Sequence, residues 1–348
     1  CFCRINIVTD TMAAKLVSSW YKEVECLPES YILPPEERPG DRPVPVSNQI
    51  PVVDLEAPDS AQLIVDACQE FGFFQVTNHG VGEELMEDGM KVFEEFFGMS
   101  KEEEGVVCNL YSDTPTTEPC VVSTSSGNNV NSEKVHFWRD VLRHSCHPLH
   151  QYLPFWPHKP HRYREVVGEC SVEVRKLGFR ILEKISRGLG LSSGYLEEFS
   201  KFMYLQVNHY PPCPDPTLSL GVYKHVDPTI LTILRQDSYG LQVFKDGHWI
   251  GVQPIPNAFV VNVGHQLQII SNGKLKSAEH RAVTNSVKAR TSGAFFLHPD
   301  VDTIIEPAKA LVNAANPALY RSFPSYEFVK RYSANRGDVE ETIKAFQL

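Results

Sequence analysis

A histidine and an aspartate stand two positions apart at His225 and Asp227, among short strand-like segments. In an extended chain, residues i and i+2 point to the same face, so an imidazole and a carboxylate converge there. The best third donor, from a distant part of the chain, is His280. Two imidazoles and one carboxylate with open coordination positions are typical of non-haem Fe(II) oxygenases. Zinc accepts the same ligands, so the ligand set by itself leaves the metal open.

An arginine and a serine follow the third donor, and Arg290 and Ser292 share a strand face by the same spacing. A turn near Asn285 predicts a hairpin that places His280 roughly opposite Arg290. A guanidinium beside a hydroxyl is a good receptor for a carboxylate, because its hydrogen bonds are bidentate and charge-assisted. A metal with open positions next to such an anion site suits a short dicarboxylate that chelates the metal through one end.

Four more side chains are candidates for the same site. Tyr210 could add a phenolic hydrogen bond to the anion, although tyrosine is also an ordinary strand residue. Asn208 lies on the same strand face as Tyr210. It either supports the anion site through a neighbouring contact or is an ordinary polar residue that faces a turn. Phe137 and Phe296 are candidates for the wall of a substrate pocket, with core packing as the alternative for both.

The elements that must position these residues change character near residue 200. Between residues 160 and 189, apolar residues recur at helical spacing, which predicts a long amphipathic helix packed on a sheet. From residue 202 onward, apolar and polar residues alternate, and turn sequences such as Lys245-Asp246-Gly247 separate short strands. An antiparallel sandwich or jelly roll is expected there. The predicted fold class is mixed α/β, with a jelly-roll core, supporting helices and a helical N-terminal region.

The first half of the chain reads as a lead-in followed by alternating helices and strands. Prolines crowd residues 28–51, which predicts an extended lead-in instead of a packed element. Residues 105–132 lose all periodicity, which favours a lid, a binding loop or disorder. The predicted divisions are 1–49 (lead-in), 50–150 (N-terminal region), 151–200 (support helix), 201–300 (core) and 301–348 (helical tail).

Composition excludes several classes of protein. The 348 residues carry 33 basic and 43 acidic side chains, and a formal charge of −10 gives no attraction for nucleic acid or anionic lipid. No apolar stretch approaches the roughly 18 residues that span a bilayer. Nine scattered cysteines without a CxxC pair favour free thiols and a cytoplasmic location. Residues 1–11 precede a plausible start at Met12 and are set aside as upstream or non-native sequence.

Several motifs occur in a fixed order along the chain. They are Phe71–Gly80, Asn208–Pro214, His225–Asp227, Leu231–Leu234, Ser271–Gly273, His280–Arg281 and Arg290–Ser292, with Cys146–Leu149, Tyr163–Val167 and Ser171–Leu177 as further matching stretches. Together they resemble the plant 2-oxoglutarate/Fe(II)-dependent dioxygenase family, in the branch that includes hyoscyamine 6β-hydroxylase. The resemblance covers the chain from Ile50 to the C-terminus, and the ordered set of motifs is highly specific.

The resemblance implies a double-stranded β-helix core in which His225, Asp227 and His280 hold Fe(II). It also implies that 2-oxoglutarate chelates the iron, with its far carboxylate bound by Arg290 and Ser292 and helped by Tyr210. Decarboxylation of 2-oxoglutarate to succinate and CO2 then accompanies the use of O2, with ascorbate as reductant. Since halogenating relatives lack the carboxylate of Asp227, hydroxylation or desaturation of a small specialised metabolite is expected. No obligate protein partner is expected.

Two other functions fit the same residues. An ascorbate-dependent oxidase that makes ethylene without 2-oxoglutarate shares the triad and the Arg-x-Ser pair. A non-catalytic ligand-binding scaffold on the same fold is the second alternative, against which the intact triad argues because a retired site has no need of three correctly spaced ligands.

Overall fold

Between residues 202 and 298 the regular elements are almost all short strands, as the alternating pattern predicts. The computed structural model describes residues 15–41, 44–47, 49–99, 109–110, 120–125, 135–335 and 339–348. In those ranges the strands are β1 (Val46–Ser47), β2 (Val52–Asp54), β3 (Phe73–Thr77), β4 (Asn109–Leu110), β5 (Cys120–Thr124), β6 (Asp140–His147), β7 (Phe202–Tyr210), β8 (Val222–His225), β9 (Leu231–Gln236), β10 (Leu241–Lys245), β11 (His248–Val252), β12 (Phe259–Val263), β13 (His280–Ala282), β14 (Arg290–His298), β15 (Ile304–Ile305) and β16 (Phe323–Pro324).

The strands form two principal sheets that face each other. The smaller sheet has the order β1-β11-β10-β13-β8, and the larger has the order β2-β3-β12-β9-β14-β7-β6-β5-β4. An apolar cluster joins them, with Val243 and Val252 from the smaller sheet and Phe73 and Val260 from the larger. The mixed α/β class with a jelly-roll core is therefore confirmed.

The helices pack mainly on the outer side of the larger sheet. They are α1 (Ser60–Glu70), α2 (Glu83–Phe97), α3 (Leu149–Tyr152), α4 (Tyr163–Gly188), α5 (His265–Ile270), α6 (Ser325–Ala334) and α7 (Val339–Lys344). The long helix α4 contacts β6, β9 and β14, which confirms the predicted support helix. Its Gly178 allows this close approach, because a Cβ there would lie 2.6 Å from a methyl carbon of Leu297. None of the helices in the described ranges is long and apolar enough to cross a membrane.

Alternation along β7 separates the helix-packed face from the face that lines the space between the sheets. Met203, Leu205 and Val207 are buried in the main apolar core with the residues of α4. Because successive side chains of a strand point to opposite faces, the other set points toward the space between the sheets. That inner set is Tyr204, Gln206, Asn208 and Tyr210.

The proline-rich lead-in is packed, which makes the prediction of an extended lead-in wrong over its described part. Short 3-10 turns place Trp20 and Tyr31 against Trp138, with ring centroids 5.4 and 5.2 Å from that indole. Proline fixes φ but does not prevent a segment from burying its aromatic residues. The buried carboxylate of Asp140 accepts hydrogen bonds from the backbone N–H groups of Val17 and Ser18, each at 2.7 Å.

Two further expectations for the first half need correction. Cys120–Thr124 forms β5, so the prediction of an irregular segment over residues 105–132 is wrong for these five residues. Most of the rest of that segment lies outside the described residues, and so do residues 1–11. Cys26 and Cys120 each take part in a disulfide bond, which contradicts the prediction of free thiols at these positions. Among the cysteines that the structure describes, Cys68, Cys146, Cys170 and Cys213 are free, and all four are buried.

Candidate active site

Three possible metal ligands meet at the end of the smaller sheet. His225 ends β8, His280 begins the neighbouring β13, and the antiparallel register sets the two residues directly opposite each other. Asp227 follows His225 by two residues, and its Oδ1 lies 3.5 Å from Nε2 of His225 and 3.7 Å from Nε2 of His280. One ligand atom from each of the three lies within 4.8 Å of the others. This spacing fits coordination of one ion.

Backbone carbonyls orient both imidazoles. Nδ1 of His225 lies 2.9 Å from the carbonyl oxygen of Tyr223, and Nδ1 of His280 lies 3.1 Å from that of Ala278. With Nδ1–H donating to these oxygens, each Nε2 keeps its lone pair for the shared centre. The ring orientation and the tautomer are therefore set by backbone carbonyls two residues before each histidine.

Two side chains of the larger sheet hold the carboxylate of Asp227. Its Oδ2 accepts a hydrogen bond from Oγ1 of Thr232 at 2.6 Å and from Nδ2 of Asn262 at 2.7 Å. Thr232 and Asn262 are opposite each other on β9 and β12. Neither residue is predicted from the sequence, although Thr232 lies within the motif Leu231–Leu234. Because Oδ2 is occupied in this way, Oδ1 is left to face the imidazoles.

The protonation states also suit metal binding. Burial alone would raise the pKa of Asp227, but His280, His225 and the hydrogen bond from Thr232 bring it below its ordinary value. Burial lowers the pKa of His280 to about 4. Near neutral pH the site therefore presents a carboxylate and a neutral imidazole, the forms that ligate a metal.

Arg290 lies on the inner face of the larger sheet with its guanidinium fixed from several sides. Its Nε donates to the carbonyl oxygen of Ser238 at 3.1 Å, and its NH2 donates to Oε1 of Gln236 at 2.9 Å. The guanidinium carbon lies 5.0 Å from the ring centroid of Tyr210, directly across the ladder. A Cβ on Gly240 would come within 2.6 Å of the Arg290 side chain, so glycine is needed there.

The surroundings of Arg290 fit an anionic ligand. Ser292 is buried beside it on the same face, opposite Asn208 on β7 and Gln236 on β9. Nε2 of Gln236 is a buried donor without a hydrogen-bond partner in the described part of the chain. A buried donor of this kind costs stability unless an acceptor reaches it, which a carboxylate oxygen would do.

The predicted hairpin between His280 and Arg290 is wrong. β13 lies in the smaller sheet between β10 and β8, whereas β14 lies in the larger sheet between β9 and β7. The chain crosses from one sheet to the other after β13, so His280 faces His225 instead of Arg290. Local turn signals indicate where a strand ends, but not which sheet the next strand joins.

The other predicted residues lie around the same interior. Oδ1 of Asn208 accepts hydrogen bonds from NH1 of Arg139 at 2.8 Å and from Nε2 of Gln206 at 3.1 Å. Arg139 is buried, and no sequence pattern predicts it as a site residue. Phe296 stacks on Tyr204 with ring centroids 4.6 Å apart and an interplanar angle of 11°.

Phe137 approaches the site from another side. Its ring centroid lies 6.2 Å from that of Tyr223, the residue whose carbonyl oxygen faces His225.

Family comparisons agree with this geometry. The 2OG-Fe(II) oxygenase superfamily matches residues 201–299, which contain the three converging ligands and Arg290. The N-terminal family of non-haem dioxygenases in morphine synthesis matches residues 50–161. The two matches are consecutive and cover the two halves of the fold separately.

Whole-chain relatives decide the family. Flavanone 3-dioxygenase 2 of Oryza sativa subsp. japonica is 43% identical over 330 residues, covering 93% of this chain and 95% of the relative. Hyoscyamine 6-dioxygenase of Hyoscyamus niger is 42% identical, covering 96% of this chain and 99% of the relative. The chain belongs to the 2-oxoglutarate/Fe(II)-dependent dioxygenase family. It is an enzyme of the plant dioxygenase type, as the resemblance implies.

A solved structure supports the cofactors. JOX2 in complex with 2-oxoglutarate, iron and JA has a TM-score of 0.78 and 38% identity to this chain, covering 88% of this chain and 89% of JOX2. Fe(II) and 2-oxoglutarate are therefore the metal and co-substrate of this dioxygenase, which resolves the choice between zinc and iron. The relatives include enzymes of specialised metabolism, in agreement with the expected reaction class.

Proposed function

We propose that His225, Asp227 and His280 hold the Fe(II) of this dioxygenase. The proposal is carried by one observation, the convergence of their ligand atoms within 4.8 Å. Hydrogen bonds on the other atoms of these side chains support it, because each leaves one lone pair directed to the same point. Such outer contacts orient ligands and raise metal affinity.

Arg290 and Ser292 are assigned to the distal carboxylate of 2-oxoglutarate, with Tyr210 packed against the guanidinium. A buried arginine held by Ser238 and Gln236 offers its remaining N–H groups in a fixed direction. Asn208 is assigned to support of this wall, since its amide oxygen already accepts hydrogen bonds from neighbouring side chains.

Bound iron and 2-oxoglutarate supply the oxidising chemistry, in which O2 is consumed and succinate and CO2 are released. The chain supplies position and shielding. Thr232 and Asn262 fix the carboxylate of Asp227, and two backbone carbonyls fix the two imidazoles. Arg290, buried to 2% exposure, neutralises the co-substrate away from water, which strengthens the interaction.

The substrate is proposed to be a small specialised metabolite that is hydroxylated or desaturated. The names of the relatives support this range, since they include a flavanone dioxygenase and hyoscyamine 6-dioxygenase. Phe296 is proposed to line its pocket because it stacks inward between β7 and β9. The role of Phe137, the absence of an obligate protein partner, the cytoplasmic location and the domain boundaries stay predictions from the sequence.

Anaerobic addition of Fe(II) and then 2-oxoglutarate tests the assignment. Wild-type protein should develop a weak visible charge-transfer band, and Asp227→Ala should develop none at the same concentrations. Asp246→Asn is the matched control, since Asp246 is exposed in a turn with a φ of 49°, which asparagine tolerates. Absence of the band in wild-type protein would contradict the assignment.

Release of succinate distinguishes the reaction from the ascorbate-dependent alternative. Succinate should form in proportion to oxidised substrate, and omission of 2-oxoglutarate should stop turnover. An active preparation that forms product from ascorbate and O2 without succinate would establish the other route.

A further inference from the structure

A second arginine lies on the inner face of the larger sheet, away from Arg290. On β6, Arg143 is opposite Gln206 of β7, whose side chain belongs to the inner set. The next residue, His144, points the other way, with its Nε2 2.8 Å from the hydroxyl of Tyr163 on α4. Because side chains alternate along a strand, Arg143 faces the space between the sheets.

An unbroken row of inner side chains leads from the proposed iron site toward this arginine. Thr232, which bonds to Asp227, is opposite Phe296 on β14. Phe296 in turn is opposite Tyr204 on β7, and the two rings are stacked. Arg143 lies on the following strand, one inner position along. Three strand spacings separate β9 from β6, roughly 14 Å between backbones.

This arginine is separate from the co-substrate site. Through Gln206 of β7, Arg143 is level with Ala294 of β14, which is four positions, roughly 13 Å, along the strand from Arg290. Two strand spacings, roughly 10 Å, also separate β6 from β14. The stacked pair and Arg143 therefore form one group of residues, and Arg290, Ser292 and Tyr210 form another. Each group has its own cation.

At the far end of this row, Tyr204 and Arg143 are close enough for the charge of one to affect the other. Both residues are half-buried. Burial lowers the pKa of Arg143. Burial also raises the pKa of Tyr204, and the positive charge of Arg143 partly offsets this rise.

We propose that Arg143 binds a carboxylate of the organic substrate while the Tyr204–Phe296 pair holds a flat ring of the same molecule. The substrate class is then an aromatic or otherwise planar carboxylic acid. A guanidinium matches a carboxylate bidentately, and partial removal from water strengthens the pair. Stacked rings offer a flat apolar surface to a third ring. The inference rests on the proposed function, because it places the substrate relative to the triad.

Matched acids and esters test this inference without turnover. Benzoic, phenylacetic and trans-cinnamic acids, each with its methyl ester, are titrated calorimetrically into anaerobic enzyme loaded with Fe(II) and 2-oxoglutarate. Wild-type protein should bind at least one acid about 10- to 100-fold more tightly than its ester, the range for a hydrogen bond to a charged group. Arg143→Gln should reduce that ratio to about one, and Arg143→Lys should retain part of it.

Two control variants separate charge, ring and fold. Arg187→Gln, at an exposed position near the end of α4, should leave the acid-to-ester ratio unchanged. Phe296→Leu should weaken an acid and its ester by the same factor, because only the ring contact is reduced.

The inference is overturned if wild-type protein shows no preference for any acid, including the case in which it binds neither member of any pair. It is also overturned if the preference persists in Arg143→Gln. If Arg143→Gln does not fold, the acid-to-ester affinity ratios of the wild type and of Arg143→Lys still test the inference. Titrations of Fe(II) and 2-oxoglutarate alone come first, and absence of binding in them would contradict the proposed function. The acid and ester titrations are then repeated on metal-free protein, so that the substrate inference is tested separately.

Discussion

Two groups of residues in the interior are built differently. At the triad and at Arg290, hydrogen bonds to backbone carbonyls or buried side chains fix each polar group, as with Asp227 and Arg290. At the Tyr204–Phe296 pair, which neighbours the triad through Thr232, the described contacts are mainly ring stacking between half-buried or marginally buried side chains. Hydrogen bonds fix direction, whereas stacking allows sliding and replacement. The first group suits a metal and a co-substrate that are the same throughout the family, and the second suits a substrate that differs between relatives.

Asp227→Asn should have the largest effect, because it removes the one anionic donor of the triad while keeping its shape. Iron affinity and turnover should each fall by more than about 100-fold, beyond the loss usual for an outer contact. Iron content after anaerobic dialysis and succinate release measure the two. Asp246→Asn should bind iron and turn over as the wild type does. Retention of iron by Asp227→Asn would show that the Asp227 carboxylate is not needed to hold the metal.

Arg290→Gln should raise the KM for 2-oxoglutarate by about 10- to 100-fold, since a charged hydrogen-bonding partner is lost. The apparent affinity for iron alone should stay near its wild-type value, because Arg290 is not in the triad. Arg162→Gln, an exposed arginine beside Asp88, is the control. An unchanged KM would remove Arg290 from the co-substrate site.

Thr232→Val should lower iron affinity by about 10-fold without changing the contact between Tyr204 and Phe296. Only one of two hydrogen bonds to Oδ2 of Asp227 is lost, since that from Asn262 persists. Thr232→Ser retains the hydroxyl and should restore affinity, which a packing effect of the missing methyl would not allow. Iron titration followed by the charge-transfer band measures both variants.

The outer face of β6 gives the smallest effect, on stability alone. Burial lowers the pKa of His144 to about 3, so between this value and about 6.5 the unfolded chain binds a proton that the folded chain does not. Stability from this group is therefore lost as pH falls below about 6.5. When the pH is lowered from 7.5 to 5.0, the free energy of unfolding should therefore decrease by about 2 kcal/mol less in His144→Gln than in the wild type. Urea unfolding at both pH values measures this, and equal losses would show that His144 is protonated in the fold.

The sequence indicated the chemistry because donors at i and i+2 share a face on any strand. Arg290 with Ser292 needed no tertiary information beyond the alternation that predicts a strand. The same spacing identified His225 with Asp227, although β8 ends at His225 and Asp227 lies just beyond it. The long helix α4 was equally visible, since one apolar stripe at helical spacing has to be buried. The correct family followed from the order of these motifs.

Other contacts depend on which strands become neighbours. Asn262 reaches Asp227 because β12 pairs with β9, and Arg139 reaches Asn208 from the start of β6. The lead-in packs because Trp20 and Tyr31 find Trp138, which is distant in sequence. No local pattern encodes such pairings.

The sequence by itself determined the donor set, the alternation of the core strands and the family of this enzyme, because these depend on residue types and short spacings. Only the tertiary structure decided that His280 faces His225 across β13 and β8, and that Arg143 and Arg290 occupy separate parts of one interior. The physical reason is that strand neighbours are chosen by the burial of whole sheet faces, a property shared by residues far apart in the chain.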